Sequence, residues 1–195
     1  MDVALLHPLT RPAEPALRAY AELLGRWTAK INLVSRGDEG QIWQRHVLDS
    51  LRLLPLIPAG TARAIDLGSG AGLPGLVLAA ASGIAFDLVE ADRRKATFLS
   101  EAQRVTGAPV TVHCARIEAV ALLPAPLVTA RALAPLDVLL GLAAPFLAPG
   151  GTALFPKGVR AAEEIEAARR LWRFELDMAG TAASPILVVR ELSRG

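Results

Sequence analysis

The run from Ala64 to Gly75 reads AIDLGSGAGLPG, with Asp66 ahead of glycines at 68, 70, 72 and 75. Glycine lets the backbone take φ > 0 and approach a ligand with no Cβ in the way. A helix starting behind such a loop offers unpaired N–H groups and a partial positive charge. The chemistry suggested is binding, with Gly68, Gly70 and Gly72 as close-approach positions. Glu90 lies 22 residues after Gly68. At the end of a strand, an acid there can accept hydrogen bonds from both hydroxyls of a ribose.

Two ligand classes compete for this loop. Gly70-Ala71-Gly72-Leu73-Pro74-Gly75 matches the dinucleotide fingerprint in form. Asp66, Gly68, Gly70 and Gly72 also fit the acid-x-Gly-x-Gly-x-Gly pattern of S-adenosylmethionine sites. The acid favours the second, because it can meet the loop and a ligand ammonium but would oppose a pyrophosphate. A dehydrogenase also needs a second domain for its substrate, and the residues after Asp92 are used in completing a sheet.

No side chain stands out as a catalyst. The fourth strand ends in Ala130-Arg131-Ala132-Leu133, with neither an Asn/Asp-Pro-Pro-aromatic motif nor a Pro-Cys pair. Cys114 is the one cysteine, expected at or near the core, so an intramolecular disulfide is excluded. His7 and His113 lie in unrelated segments, and no metal-ligand spacing is met.

Positioning these residues needs strands and helices in alternation. Apolar residues at Leu17, Tyr20, Leu24, Trp27 and Ile31 mark one helix face, and Ile42 to Leu54 a second helix closed by Pro55 and Pro58. Residues 1–15, with three prolines, read as a loose start. Residues 1–58 thus form a helical cap. Strands are expected over Arg63–Leu67, Ala85–Val89, Val110–His113, Leu127–Ala130 and Thr152–Phe155. The helices between them run over Leu73–Ser82, Asp92–Val105, Ile117–Leu123 and Leu136–Leu147. A further helix, Val159–Trp172, precedes two strands, Arg173–Met178 and Pro185–Glu191. The link between those two is too short for a parallel crossover, so they pair antiparallel. Such alternation means an α/β fold with a mostly parallel sheet; five parallel strands and a terminal antiparallel hairpin, seven strands in all, resemble the Rossmann-like class I methyltransferases. Residues 59–195 form that domain, with the ligand outside the strand ends at the switch point.

Composition sets limits on this. With 195 residues and 52% hydrophobic content, one domain with an ample core is expected. No uninterrupted apolar run spans a membrane, and Met1-Asp2-Val3-Ala4 lacks the basic start of a signal peptide. A cytoplasmic monomer without metal is the expectation. Net charge is only +2, so any nucleic-acid surface must come from scattered basic residues folded onto one face.

Three further blocks carry a family resemblance: Trp27–Leu33 (WTAKINL), Arg45–Leu51 (RHVLDSL) and Arg131–Leu136 (RALAPL). With Asp66–Gly75 and Lys157-Gly158, they make the chain resemble the small-subunit ribosomal RNA methyltransferase G family, also called GidB. The resemblance runs from about Leu17 to Val189. It implies transfer of a methyl group from S-adenosylmethionine to N7 of guanine 527 in the 530 loop of 16S rRNA, with the 30S subunit as partner. By position, it implies cofactor contacts at Gly68, Leu73, Ile117, Glu118 and Arg131. Where the family shows Asp-Ser after the second strand, this chain has Glu90-Ala91, a carboxylate longer by one methylene. Lys95, Lys157, His46 and Asn32 are candidates for RNA contact. For His46, Asp49 and Ser50 the alternative is a local cluster locking the cap to the sheet. Trp27 and Trp43 sit in helical patterns and read as core residues. A class I methyltransferase for a small molecule, and a non-enzymatic nucleoside- or RNA-binding module, remain as other readings at this point.

Overall fold

A computed structural model describes residues 12–195. The loose start expected over residues 1–15 falls mostly outside these, as does His7. Residues 12–15 already belong to the first helical turns, α1 being Glu14–Thr28. A 3-10 segment, Arg36–Gln41, leads to a π-helical turn at Trp43–Leu48 and a short α2, Asp49–Leu51. The second cap helix is therefore not the regular α-helix that its spacing predicts. The wider turn places the neighbours His46 and Val47 both inward.

The remainder alternates as expected: β1 Arg63–Leu67, α3 Gly75–Ser82, β2 Ala85–Glu90, α4 Arg93–Thr106, β3 Val110–Cys114 and β4 Ala125–Thr129. Then come α5 Leu136–Ala143, β5 Leu147–Pro156, α6 Ala161–Ala168, β6 Trp172–Thr181 and β7 Ser184–Arg194. The sheet order is β3-β2-β1-β4-β5-β7-β6. Strands β1 to β5 are parallel, and β7 runs antiparallel to both β5 and β6.

Two elements differ from expectation for local reasons. The helix expected over Ile117–Leu123 is a single 3-10 turn, Ile117–Ala119. Pro124 and Pro126 follow closely, and a residue before proline is pushed towards extended conformations. Strand β5 begins earlier than Thr152. Its pairing with β4 steps from Ala125↔Leu147 to Leu127↔Thr152, so residues 148–151, with Pro149-Gly150-Gly151, form a bulge inside the strand rather than a stop before it.

Side chains alternate across the buried strands. Ala64, Phe86, Leu88, Leu127, Leu154 and Val188 face a core shared with α1, α3 and α4, where Tyr20, Leu76 and Phe98 are fully enclosed. Ile65, Leu67, Val128, Phe155 and Val189 face α5 and α6. Burying one such large side chain stabilises by about 1.5–3 kcal/mol, so the two layers clamp the sheet from both sides. The helical cap is part of this packing. Trp27 lies edge-on to Phe98 at 5.7 Å and donates to Glu101 at 3.1 Å, and Arg18 stacks 3.7 Å from the centre of the Trp43 ring. Both tryptophans are partly buried against the core.

Candidate functional site

The strand order reverses between β1 and its neighbours β2 and β4, and the glycine loop leaves β1 at that point. A cavity of about 490 Å³ opens there. Its walls include Gly68, Gly70, Leu73, Glu90, Ile117, Glu118 and Arg131. The open-sheet rule places a ligand at such a crevice.

Gly68 sits at φ +64°, and a Cβ there would meet Leu133 Cδ1 at 2.6 Å. Leu133 also lines the cavity. Only a bare backbone keeps both the turn and the space. The loop is braced from the cap: Tyr20 in α1 donates its hydroxyl to the Ala71 carbonyl at 2.6 Å. Burial pushes the Tyr20 pKa up, so the hydroxyl keeps its proton and remains a donor. Glu90 braces the loop from the other side. Its Oε2 accepts from the Gly70 amide and its Oε1 from the Asp92 amide, both at 2.8 Å. An ionised carboxylate offers about four acceptor positions, so roughly two remain for hydroxyls in the cavity.

Asp92 caps α4, its Oδ1 accepting from the Arg94 and Lys95 amides at 2.8 and 3.2 Å. The Lys95 and Arg94 amides hold the Asp92 carboxyl below its usual range. This cap sets Lys95 on the cavity wall, joined by Arg116 from the segment after β3.

Several expected site residues are placed elsewhere. Gly72 does not line the cavity; its amide donates to Ser69 at 2.7 Å, and a Cβ there would meet Leu76 Cβ at 2.9 Å. Its role is to let α3 pack under the loop. Lys157 is turned inward, its ammonium bonded to Glu164 at 2.7 Å and to the Ala134 carbonyl at 2.9 Å. Its side chain is 9% exposed, which argues against the RNA contact expected of it. His46 is buried, with Nδ1 3.3 Å from Arg131 Nη2. Ser50 donates to the His46 carbonyl at 2.7 Å, and Asp49 Oδ2 lies 3.7 Å from Arg131 Nη1. The His46, Asp49 and Ser50 group therefore ties the cap to the end of β4 rather than presenting a polar face to solvent. Asn32 is exposed. Cys114, expected near the core, is exposed. Among the described residues no group of three or more His, Cys, Asp or Glu is placed to hold a metal.

Asp66 also departs from expectation. It is fully buried and does not reach the cavity. Thr129 donates to its Oδ1 at 2.6 Å. Oδ2 has no well-formed hydrogen bond, although the Gly75 amide lies beside it. Burial raises the Asp66 pKa from 3.8 to about 6, against the opposing pull of Thr129, Ser69, Gly75 and Arg131. Its task is thus to hold β1, β4 and the start of α3 together beneath the loop.

The raised pKa has a sign. Between about pH 4 and 6 the folded protein keeps a proton that the unfolded chain has lost. The stability that this proton confers is full below about pH 4 and falls as pH rises through 6, by about 3 kcal/mol in all. Urea unfolding at pH 4.5 and 7.5 is expected to show this decline in the wild type and to lack it in Asp66→Asn. Parallel pH profiles for the two proteins would contradict the assignment.

Sequence reasoning gave no site role to two leucines that line the cavity or to the tyrosine that braces its loop. Leu133 and Leu142 look like ordinary core positions, and Tyr20 like one more member of an apolar helix face. A polar hydroxyl among fully enclosed apolar neighbours was the available signal for Tyr20, since a buried tyrosine hydroxyl needs a partner.

Comparison with known proteins follows the same lines. The sequence model of the GidB family, described as rRNA small subunit methyltransferase G, matches residues 13–183. A protein of Acidiphilium cryptum named ribosomal RNA small subunit methyltransferase G is 52% identical over 192 residues, covering 95% of this chain and 88% of its own length. Among solved structures, a ribosomal protein L11 methylase from Lactobacillus delbrueckii aligns with a TM-score of 0.62 at 15% identity, over 77% of this chain and 78% of its own. An O-methyltransferase from Bacillus cereus, in complex with SAH, aligns with a TM-score of 0.59 at 14% identity, over 89% and 91%. At such identities the structures share the fold: the chain is a class I methyltransferase in architecture.

Proposed function

The chain belongs to the rRNA small subunit methyltransferase G family, and from that premise we propose that it moves a methyl group from S-adenosylmethionine to N7 of guanine 527 in the 530 loop of 16S rRNA. The observation that carries the cofactor half is Glu90, whose carboxylate is held by the Gly70 and Asp92 amides with acceptor capacity left over. The membership disfavours the small-molecule and non-enzymatic readings.

S-adenosylmethionine supplies a methyl group already activated on a sulfonium. The residues around the cavity fit a nucleoside of that kind. The Gly68 backbone would allow close approach and Glu90 would accept from a ribose. Ile117 and Leu73 would supply apolar contact to the base, Glu118 a polar group beside it, and Arg131 a cation on the cavity wall. Guanine N7 has an in-plane lone pair and no proton to remove. The chain then has only to align nitrogen with the methyl carbon and exclude water, and such alignment is worth roughly 7–11 kcal/mol. No side chain acts as general base. RNA reaches the mouth past Lys95 and Asn32, with residues 1–58 as a cap on a methyltransferase domain of 59–195. The protein works as a cytoplasmic monomer; no helix among the described residues is long and apolar enough to cross a membrane.

The test is incubation with methyl-labelled S-adenosylmethionine and 30S subunits lacking the modification, with naked 16S rRNA alongside. One labelled guanine is expected in 16S rRNA, mapped by mass spectrometry and by the chain cleavage that N7-methylguanine allows. Label at another base would refute the position, and label in no RNA would refute the reading.

A further inference from the structure

Arg131 stands at the end of β4 on the cavity wall, but what orients it comes from the other end of the chain. Asp49 is shared between two arginines. Its Oδ1 accepts from Arg52 Nη1 at 2.6 Å, and its Oδ2 lies 3.7 Å from Arg131 Nη1. Arg52 is itself fixed: Nη1 donates to Ser184 Oγ at 2.9 Å and Nη2 to the Ser184 carbonyl at 2.8 Å. Ser184 opens β7, directly after the turn from β6. That turn is shaped for the guanidinium. Gly180 has φ +88°, and a Cβ there would collide with Arg52 Nη2. A chain of contacts thus runs from the β6–β7 turn through Arg52 and Asp49 to Arg131.

The geometry is that of a relay. Arg52, fixed on Ser184, stops Asp49 from following Arg131 freely. Asp49, with His46 at 3.3 Å, holds one side of the Arg131 guanidinium. The side chains of all three charged residues are one-fifth to one-third exposed, so water screens them only in part. An arginine held in this way loses little side-chain freedom when a ligand arrives, which favours binding.

We propose that Asp49 is a positioning residue for the cofactor, acting through Arg131, with Arg52 and Ser184 as its anchor. This rests on the reading of the cavity as an S-adenosylmethionine site. A purely structural role for Asp49 makes a different prediction: lower stability with unchanged affinity in the folded protein.

The two are separated by calorimetric titration of S-adenosylhomocysteine into the full chain, with urea unfolding alongside. The wild type is titrated first; absence of uptake by folded wild type would defeat the cavity reading, and this proposal with it. Asp49→Asn is expected to raise the Kd about 10-fold with a little-changed urea midpoint, and Asp49→Glu to recover most of that loss. Arg131→Ala weakens binding by itself. In that background Asp49→Asn is expected to change the Kd less than about 2-fold, because the group it positions is gone. An unchanged Kd in Asp49→Asn, or an equal loss with and without Arg131, would overturn the proposal. Should Asp49→Asn not fold, Asp49→Ser is carried through the same cycle with the same criteria.

Discussion

Glu90→Gln is expected to weaken S-adenosylhomocysteine binding about 100-fold while leaving a folded protein. Two effects combine. The carboxylate accepts from two backbone amides at 2.8 Å. A carboxamide presents an NH₂ group to one of them, so a donor faces a donor and one amide is left without a partner. Losing a charge-assisted hydrogen bond of this type costs about 1.5–3 kcal/mol, which the free protein bears as well, so it reaches the Kd through a loosened glycine loop. The ribose loses one of its acceptors at the same time. Glu90→Asp tests the geometry separately, since it keeps the charge and withdraws it by one methylene. Titration calorimetry decides between them: a Kd within threefold of wild type for Glu90→Gln would remove the ribose role, whatever the activity.

The second large effect falls on the fold. A methyl group on Gly75 would lie 2.5 Å from Asp66 Cβ and 2.7 Å from its Cγ. Asp66 is fully buried and held by Thr129 on the neighbouring strand, so it has nowhere to go. The start of α3 must then lift off β1. Overpacking of a rigid site costs about 1–3 kcal/mol and sometimes more, and Gly75→Ala is expected at the upper end. The melting temperature should fall on the order of 10 °C. A loss under about 2 °C in a thermal scan would show that the helix start yields easily. The outcome matters for function, because the same helix supports the loop from which Gly68 and Gly70 face the cavity.

The strands were legible because their signals are local. Arg63–Leu67 matches its expected bounds, and Asp92 and Gly107 mark the two ends of α4 as their side chains predict. The site was legible where backbone was the functional group, as at Gly68 and Gly70. It was less so where a side chain chooses between partners. Lys157 looks like a surface cation in sequence and is turned inward by Glu164, 7 residues on, while His46, open between an RNA contact and a local cluster, is turned inward beside Arg131, 85 residues away. Asp66 was rightly tied to the loop, but by holding it from beneath rather than by reaching the ligand. Gly72 shows a similar limit. A spacing rule identifies a glycine that must lack a Cβ, but not whether a ligand or a leucine occupies the space.

Strand β7 follows β6 in the chain yet lies between β5 and β6 in the sheet. During synthesis, β6 emerges before β7, the strand it pairs with in the sheet. The edge of β5 and the whole of β6 stay unpaired until residues 184–194 arrive and insert between them. A nascent chain can assemble the five parallel strands and much of the cofactor crevice before that moment. It cannot anchor Arg52 on Ser184. A chain cut short by premature termination near residue 183 would keep Asp49 and His46 beside Arg131 but lose the Ser184 anchor of Arg52 behind them.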